Sequence, residues 1–335
     1  MAASIEDVAV RAGVSTATVS RALRGLPNVS PETRRRVLAA AHALDYVASP
    51  SASSLASGRM STVGVITPYL GRWFFGTVIG GAEAELRVAG HDLLLYTIGG
   101  EGHRYRFFDQ LPLRRRVDAV LVLTLPMEGD EVEAVRSLGM PVSIVGARVE
   151  GFSSVRIDDV AGAELGVRHL VALGHRRIGL ISGGRTESNR FTAPTDRSAG
   201  YRRVLVEAGL PVDPALDVDG EFTVAGGERA MAELLGRPEP PTAVFAQSDE
   251  MAFGALRAVR RAGLSCPGDV SLCGFDDHEM ADLFDLTTVA QPVQEQGVLA
   301  ARQVLAALSG GEYPQASVLP TSLVVRGTTA PPGSP

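Results

Sequence analysis

The sequence predicts an α/β protein that begins with a small all-α domain. The segment before Ala48 shows only helical periodicity, and from Thr62 onwards short apolar runs alternate with amphipathic helices. Between them, residues 48–61 are small, rich in serine and nearly uncharged, which is typical of a linker. We therefore expect three parts in the 335 residues: a helical headpiece at 1–48, a hinge or linker at 49–60 and an α/β body at 61–330.

The segment 4–23 has the spacing of a helix-turn-helix. Its first helix carries apolar residues on one face, at Ile5, Val8, Ala9 and Ala12. Gly13 then permits the positive φ of a tight break, and Ser15 can accept hydrogen bonds from the first N–H groups of a second helix. That helix is expected to bury Val19, Ala22 and Leu23.

The opposite face of the second helix is expected to be exposed. Its residues are mostly small or hydroxylated, with one arginine: Thr16, Ala17, Thr18, Ser20 and Arg21. Hydroxyl groups reach phosphates without steric hindrance, and arginine can bond a guanine edge through two hydrogen bonds, so this face suits a DNA groove. An ordinary helical hairpin is the alternative interpretation.

A third helix is expected to start at Ser30, where a capping serine is followed by Pro31 and Glu32. Thr33 lies near its N-terminus, where free N–H groups can hold a phosphate. The residues expected to close a three-helix core are Val37, Leu38, Ala41 and Leu44.

The linker also contains a helix start signal, Ser49-Pro50. After it, Ala52, Leu55 and Ala56 could form one short apolar stripe. A segment of this length is not helical alone. It is therefore either a flexible linker or a short helix that folds against DNA and a partner copy.

The charge of the chain is divided unevenly. Residues 1–60 hold seven arginines and four acidic residues, which gives +3, so the remainder must carry −9 to reach the net charge of −6. A basic headpiece on an acidic body fits one part that binds a polyanion and another that does not.

Targeting and redox features are missing from the sequence. Cys266 and Cys273 are too few for a metal site or a redox pair, and we expect them to be small buried or half-buried residues. The sequence has neither a signal-peptide pattern nor an apolar run near the ~18 residues of a membrane span. We therefore expect a soluble, cytoplasmic protein with no membrane partner.

The body shows the pattern of parallel α/β sheets. The predicted strands are Val63–Thr67, Asp92–Thr97, Ala119–Thr124, Val142–Val145, Ile178–Ser182, Ala243–Ala246 and Val270–Phe275. The predicted helices include Thr77–Ala89, Val160–Leu173, Ser198–Ala208, Ala225–Leu235 and Met251–Ala262. This alternation predicts two open, doubly wound sheets in succession, and the polar stretch 183–194 is expected to be a loop at the mouth of the second.

Ligands of open α/β sheets bind at the carboxyl ends of the strands. Aromatic residues follow the first predicted strand, at Tyr69, Trp73, Phe74 and Phe75. Their rings can stack on a sugar or a base, or they can belong to the core. Asp249 and Asp276 follow later strands and can accept hydrogen bonds from hydroxyls, while Arg197 can donate several.

The aspartates have a structural alternative, because each can cap a helix N-terminus. This interpretation is favoured for Asp158, Asp159 and Asp277. His169 and His175 flank a predicted helix end, where positive charge suits the helix dipole, so we interpret them as structural.

Enzyme motifs are absent from the sequence. It has no G-x-S-x-G, no H-E-x-x-H, no G-x-x-x-x-G-K-[ST], and no G-x-G-x-x-G after the first strand, where Thr67-Pro68 stands. Two carboxylates and an arginine could cleave a glycoside, but that would leave the headpiece unexplained. We expect no enzyme activity, no cofactor and no metal.

The order of these segments resembles the lac repressor/galactose repressor (LacI/GalR) family of bacterial transcription factors. The resemblance covers essentially the whole chain. It rests on the headpiece, IEDVAVRAGVSTATVSRALRG then VSPETRRRVLAAAHALDY, and on the blocks GHRRIG, SDEMAFGAL, GFDD and LTTVAQP in family order. It implies a periplasmic-binding-protein-like body with two doubly wound parallel-sheet subdomains, at roughly 61–158 plus 291–320 and 159–290 plus 321–330.

The resemblance also implies roles for individual residues. Thr16, Ala17 and Arg21 align with base-reading positions, Ser15, Thr18, Ser20 and Thr33 with phosphate contacts, and Leu55 with the hinge leucine that enters the minor groove. The positions that align with effector contacts are Phe74, Phe75, Arg197, Phe222, Asp249 and Asp276.

The chain departs from the family pattern at several positions. Ser53 replaces a hinge arginine that commonly contacts phosphate, and Arg72-Trp73 replaces a frequent Asn-Pro, which adds the Trp73 ring near the effector. The family's leucine-heptad tail does not follow Arg326, so we expect a homodimer, and the end GTTAPPGSP is expected to be disordered.

The expected function is that of a transcriptional repressor of sugar-utilisation genes, which a neutral sugar releases from a palindromic, double-stranded operator. The alternatives are a corepressor, such as a purine or a phosphorylated metabolite, and control by a protein partner. A solute-binding protein would share the body but not the headpiece.

Overall fold

In the computed structural model, residues 3–46, 59–99, 101–184 and 191–333 are described. They belong to two units. One runs to Ser61 and includes Arg115–Asp118, and the other comprises Thr62–Arg114 and the chain from Ala119. The predicted hinge residues up to position 58, among them Leu55 and Ser53, lie outside the described residues.

Three short helices form the headpiece: α1 (Ile5–Ala12), α2 (Thr16–Leu23) and α3 (Pro31–Ala43). Ser4 caps α1, because its hydroxyl accepts from the Asp7 N–H at 3.2 Å while the Asp7 carboxylate accepts from the Ser4 N–H at 2.9 Å. Gly13 ends α1 with φ +64°, and Ser15 caps α2. The predicted helix-turn-helix is confirmed.

The headpiece core is built from small and β-branched side chains. Val8, Val19 and Val37 are fully buried within it. The prediction for Leu38 is wrong, because its side chain is 48% exposed. Ala40 lies on the buried face of α3 with Val37 and Ala41, and a helical step of one residue from Val37 turns Leu38 away from that face.

The first sheet of the body is entirely parallel. Its order is β11–β5–β4–β3–β1–β2. The strands are β1 (Thr62–Thr67), β2 (Asp92–Thr97), β3 (Ala119–Leu123), β4 (Val142–Val145), β5 (Ser153–Ile157) and β11 (Ala316–Leu319). The last of these comes from near the C-terminus, so the chain returns to this sheet after building the second one.

The second sheet has the order β12–β10–β9–β8–β6–β7. Its strands are β6 (Ile178–Ser182), β7 (Asp217–Asp219), β8 (Ala243–Ala246), β9 (Ser271–Asp276), β10 (Thr287–Ala290) and β12 (Ser322–Val324). Among its described strands, β10 and β12 pair antiparallel and the other neighbours pair parallel. The two parallel sheets confirm the predicted fold class, and the chain crosses between them after β5, after β10 and after β11.

Helices cover the faces of both sheets. They are α4 (Trp73–Val88), α5 (Glu101–Gln110), α6 (Asp130–Arg136), α7 (Asp159–Ala172), α8 (Thr192–Glu207), α9 (Val224–Leu235), α10 (Asp249–Arg261) and α11 (Val293–Leu308). Helix α8 begins at Thr192, so the end of the predicted loop 183–194 is wrong. Residues 185–190 of that predicted loop lie outside the described residues. Each described helix is too short or too polar to span a membrane.

Helix α11 packs on α4 of the first sheet at very close range. A Cβ on Gly297 would lie 2.0 Å from the Val78 carbonyl oxygen, and one on Gly81 would lie 2.2 Å from the Gln294 carbonyl oxygen. Both positions therefore require glycine for steric reasons. This contact attaches the segment after the second crossover firmly to the first sheet.

The C-terminal segment is ordered through residue 333, which contradicts the disorder expected for GTTAPPGSP. Thr328 is buried, and its carbonyl oxygen and hydroxyl bond the Leu272 N–H and carbonyl at 2.8 and 2.7 Å. His169 Nε2 lies 2.9 Å from Thr329 Oγ1, and His175 Nε2 lies 2.9 Å from the Ala330 carbonyl oxygen. Burial lowers the pKa of both histidines, so they act structurally as neutral rings rather than through positive charge.

We predict that His169 and His175 make a contribution to the stability of the body that is lost as the pH falls below about 6.5, the pKa of histidine in an unfolded chain. The unfolded histidines then bind protons that the buried rings resist, so the free energy of unfolding decreases. The free energy of unfolding, measured with urea at pH 7.5 and 5.5, should be lowered less by the acidic pH in His175→Gln than in the wild type. The exposed His103→Gln is the control and should keep the wild-type difference; identical profiles for all three proteins would contradict the role of His175.

Candidate DNA-reading face and ligand cleft

The N-terminal half of α2 presents the residues predicted to read DNA. Thr16, Ala17 and Arg21 are exposed, and Ser20 and Thr18 are half-buried. Neither a hydrogen bond nor an ion pair engages the Arg21 guanidinium within the described part of the chain. The side chain is therefore available to a groove, and its role in DNA binding stays a prediction.

Two helix N-termini of the headpiece carry the same pair of hydroxyls. Ser15 accepts from the Thr18 N–H at 3.2 Å, and the two hydroxyl oxygens lie 2.9 Å apart. Ser30 and Thr33 repeat this arrangement on α3 with the same distances. Each terminus thus combines remaining free N–H groups with two hydroxyls, which is chemistry suited to a phosphate.

A cleft lies between the two sheets of the body, at the carboxyl ends of their parallel strands, and its empty space, including open solvent at its mouth, is about 620 Å³. Five of the predicted effector residues line it: Phe74, Phe75, Arg197, Phe222 and Asp276. Residues that the sequence argument did not assign also line it, among them Arg72, Phe191 and Glu250. The cleft therefore has aromatic walls and charged groups from both sheets.

Trp73 and Asp249 lie away from this lining. The Trp73 ring stacks on His278 with a centroid distance of 4.5 Å, so the expected contact of Trp73 with an effector has no support in this geometry. Asp249 is completely buried and accepts from the His278 N–H at 2.8 Å and from Thr288 Oγ1 at 2.6 Å. Burial raises the pKa of Asp249, and its two acceptor bonds show a structural role.

Arg197 is buried beneath the cleft. Its Nε donates to Asp159 Oδ1 at 2.7 Å, and its Nη1 donates to the Gln247 carbonyl oxygen. Nη1 also lies 3.7 Å from Asp276 Oδ1, and the guanidinium stacks 3.6 Å above the Phe275 ring. The capping role predicted for Asp159 is therefore wrong, since its carboxylate pairs with Arg197, whereas Asp158 does cap α7 by accepting from the Ala161 N–H at 3.0 Å.

Asp276 ends β9 in a backbone conformation with φ +128°. Gln291 Nε2 donates to its Oδ1 at 2.6 Å, and Gln296 Nε2 donates to Gln291 Oε1 at 2.9 Å. Burial raises the pKa of Asp276 despite the opposing effect of Arg197. The next residue, Asp277, pairs with Arg326 Nη2 at 2.8 Å, so its predicted capping role is wrong.

The Phe222 ring occupies the cleft because of a strained turn. Phe222 has φ +51°, and its ring rests on Gly183, where a Cβ would lie 2.0 Å from the ring. A non-glycine residue with positive φ costs energy and is often retained at ligand sites. The sequence shows both residues, but this contact is visible only in the folded chain.

The described lining of the cleft carries charged groups of both signs. Arg72 stacks 3.9 Å above the Tyr69 ring, and Glu250 lies in the first turn of α10. Burial raises the pKa of Glu250, and Arg72 opposes this shift. With Arg197 and Asp276, the described residues of the lining include two arginines and two carboxyl groups.

Comparison with known proteins agrees with this architecture. A family model described as "Bacterial regulatory proteins, lacI family" matches residues 4–49, and a "Periplasmic binding protein-like domain" model matches residues 167–329. The HTH-type transcriptional repressor CytR of Escherichia coli (strain K12) is 35% identical over 334 residues, covering 98% of this chain and 96% of CytR. The chain belongs to the LacI family.

Solved structures of LacI-family proteins have the same fold. The lac repressor dimer bound to operator and the anti-inducer ONPF matches with a TM-score of 0.86 and 27% identity, over 98% of this chain and 100% of that one. The complex of the transcriptional regulator CelR with cellobiose matches with a TM-score of 0.72 and 32% identity, over 98% and 100%. This LacI-family member is thus a helix-turn-helix transcriptional regulator with a periplasmic-binding-protein-like body.

We predict that Arg197→Met destabilises the body by about 3–5 kcal/mol, because it leaves the buried Asp159 and Asp276 without their cation. Urea unfolding followed by circular dichroism measures the loss. Arg203→Met is the matched control on the same helix: Arg203 pairs with Glu164 at 2.8 Å, but its side chain is 58% exposed. The control should lose less than about 1 kcal/mol, and equal losses would refute the special role of Arg197.

Proposed function

We propose that this regulator is a homodimeric repressor of sugar-utilisation genes, and that a neutral sugar releases it from a palindromic operator. The lining of the cleft carries the proposal. Phenyl rings can stack on the apolar face of a sugar. The arginines of the lining can donate hydrogen bonds to the sugar hydroxyls, and the carboxyl groups can accept hydrogen bonds from them. The likeness to a regulator bound to cellobiose supports the same ligand class.

On the DNA side, Arg21, Thr16 and Ala17 read bases in the major groove. The hydroxyl pairs at the N-termini of α2 and α3 hold phosphates on either side. Two headpieces occupy successive half-sites of the operator, and the hinge leucine of each copy, Leu55, enters the central minor groove. The likeness to an operator-bound lac repressor dimer supports this arrangement.

In the cleft, the sugar bridges the two sheets. Phe74 and Phe75 belong to the first sheet's side, whereas Arg197, Phe222 and Asp276 belong to the second. A ligand that contacts both sides favours one state of closure, and that preference is transmitted to operator affinity with a coupling of ~1–3 kcal/mol. We expect the sugar to lower the affinity for the operator, so that the repressor is released from it.

The alternative is a purine or nucleoside that acts as a corepressor. The phenyl rings Phe74, Phe75, Phe191 and Phe222 would stack on a base as well as on a sugar. A phosphorylated metabolite is disfavoured, because a carboxyl group, Glu250 or Asp276, accompanies each arginine of the described lining.

A thermal-shift screen against neutral sugars, sugar phosphates and purine nucleosides tests the ligand class. At about 100 times its Kd, a ligand should raise the Tm by roughly 5–10 °C. We expect a neutral sugar to give this shift and sugar phosphates to give none. A shift with nucleosides alone would favour the corepressor, and no shift with any of them would refute the sugar-sensing proposal while leaving the DNA-binding role unaffected.

We predict that Arg21→Ala abolishes base discrimination. Duplexes selected from a random library by the wild-type protein should converge on a palindrome, and the variant should bind that duplex and a scrambled one almost equally. The expected loss is ~1–3 kcal/mol of discrimination, measured by fluorescence anisotropy at fixed salt. Arg237→Ala, which removes a charge that pairs with Glu233 on α9, is the control. Undiminished discrimination by Arg21→Ala would contradict the docking of α2.

A further inference from the structure

A second cavity adjoins the ligand cleft beside the first crossover between the sheets. Its empty space, including open solvent, is about 630 Å³, and Gly146 and Thr192 line both cavities. Its other walls come from the turn after β4, from the segment between β5 and α7, and from the first turns of α8. The two cavities are therefore neighbours, and the two residues that their walls share are small.

One ion pair forms the partition between the cavities. Arg197 lines the first, and its partner Asp159, 2.7 Å away, lines the second. Both side chains are buried, and their charges neutralise each other. The partition therefore presents hydrogen-bonding atoms on both sides without a net charge.

Two groups of the second cavity have their hydrogen-bonding capacity unused. Asp196 is half-buried and has neither a hydrogen bond nor an ion pair among the described residues, and the same holds for the exposed Arg148. Burial raises the pKa of Asp196, and the neighbouring Asp159 and Asp158 add to this effect, while the more weakly acting Arg156 and Arg197 oppose it. A half-buried carboxylate without a partner is costly, and a donor from a ligand would remove that cost.

The charges of this second cavity favour a neutral ligand. Among the described residues of its lining, Arg148 and Arg156 face Asp158, Asp159 and Asp196, and Asp159 shares Arg197 with Asp276 of the first cleft, so this lining has no surplus of positive charge. Sugar hydroxyls both donate and accept, so they match adjacent carboxylate and guanidinium groups. A phosphate bound to the arginines would lie close to two carboxylates and be repelled. None of its described lining residues is aromatic, so ring stacking is expected in the first cleft.

We infer that the effector is a neutral oligosaccharide of at least two rings, with one ring among the phenyl rings of the cleft and the next in the second cavity. There Asp196 accepts from the hydroxyls of the second ring, and Arg148 donates to them. This inference rests on the proposed sugar-sensing function and adds the length of the ligand to it.

Isothermal titration calorimetry with matched sugars tests the inference. The probes are glucose and galactose, compared with cellobiose, maltose and lactose. We expect at least one disaccharide to bind tenfold or more tightly than either monosaccharide. Asp196→Asn, which keeps the shape of the side chain, should weaken that disaccharide about tenfold and leave monosaccharide binding unchanged within about twofold. Arg148→Ala should act in the same direction.

Two further variants make the result specific. Phe222→Ala removes a ring of the first cleft and should weaken both kinds of sugar. Glu207→Gln, at the far end of α8 and paired with Arg168 at 2.6 Å, should weaken neither. Thermal melts of all variants establish that they fold.

The outcomes separate the two proposals. Equal binding of monosaccharides and disaccharides, or equal weakening of both by Asp196→Asn, would overturn the second subsite and leave sugar sensing intact. Binding of a nucleoside or a sugar phosphate in place of any neutral sugar would overturn the proposed function, and the second subsite with it.

Discussion

The ligand chemistry of the body depends on the compensation of one buried cation, Arg197. A guanidinium in this position must be paired, because an isolated buried charge costs far more than a folded domain can spare. Asp159 from the first crossover, the Gln247 carbonyl at the end of β8 and Asp276 at the end of β9 supply that compensation. These contacts hold segments that are distant in the chain together at the floor of one cleft. They also fix the orientation of the Arg197 guanidinium and therefore of its remaining N–H donors.

A chain of amides links this floor to the opposite sheet. Gln296 belongs to α11, which packs on α4 of the first sheet, and it bonds Gln291, which in turn bonds Asp276 of the second. The Trp73–His278 stack joins the same two halves at another point. A ligand that binds Asp276 therefore contacts a residue that is hydrogen-bonded, through Gln291 and Gln296, to the half of the body that contains the first sheet. That is the physical requirement for a change of closure, since a ligand shifts an equilibrium only through contacts that differ between the two states.

The sequence predicted the elements whose structure is determined by neighbouring residues. The headpiece follows from caps, Gly13 and helical spacing, whereas β7, β11 and β12 are short or half-exposed strands that form because distant partners pair with them. The same limit applies to the site. Phe74 lines the cleft while its neighbour Trp73 does not, and Glu250 lines it while Asp249 is buried, because adjacent residues on a helix point about 100° apart. The sequence therefore predicts which segments border the cleft, but it does not predict which of two neighbouring side chains faces the cleft.

Charge pairing also explains how one chain can recognise a polyanion and a neutral molecule without confusion between them. The headpiece segment carries its +3 on arginines such as the unpaired Arg21, so its field extends to phosphates. In the body the arginines of the two described cavity linings are at least matched in number by carboxyl groups, so long-range attraction of a phosphate is weak and short-range hydrogen bonds and stacking decide binding. Selectivity in the body must then come from the positions of donors, acceptors and rings. Those positions change when the two sheets move, which makes the same groups that select a ligand responsive to closure.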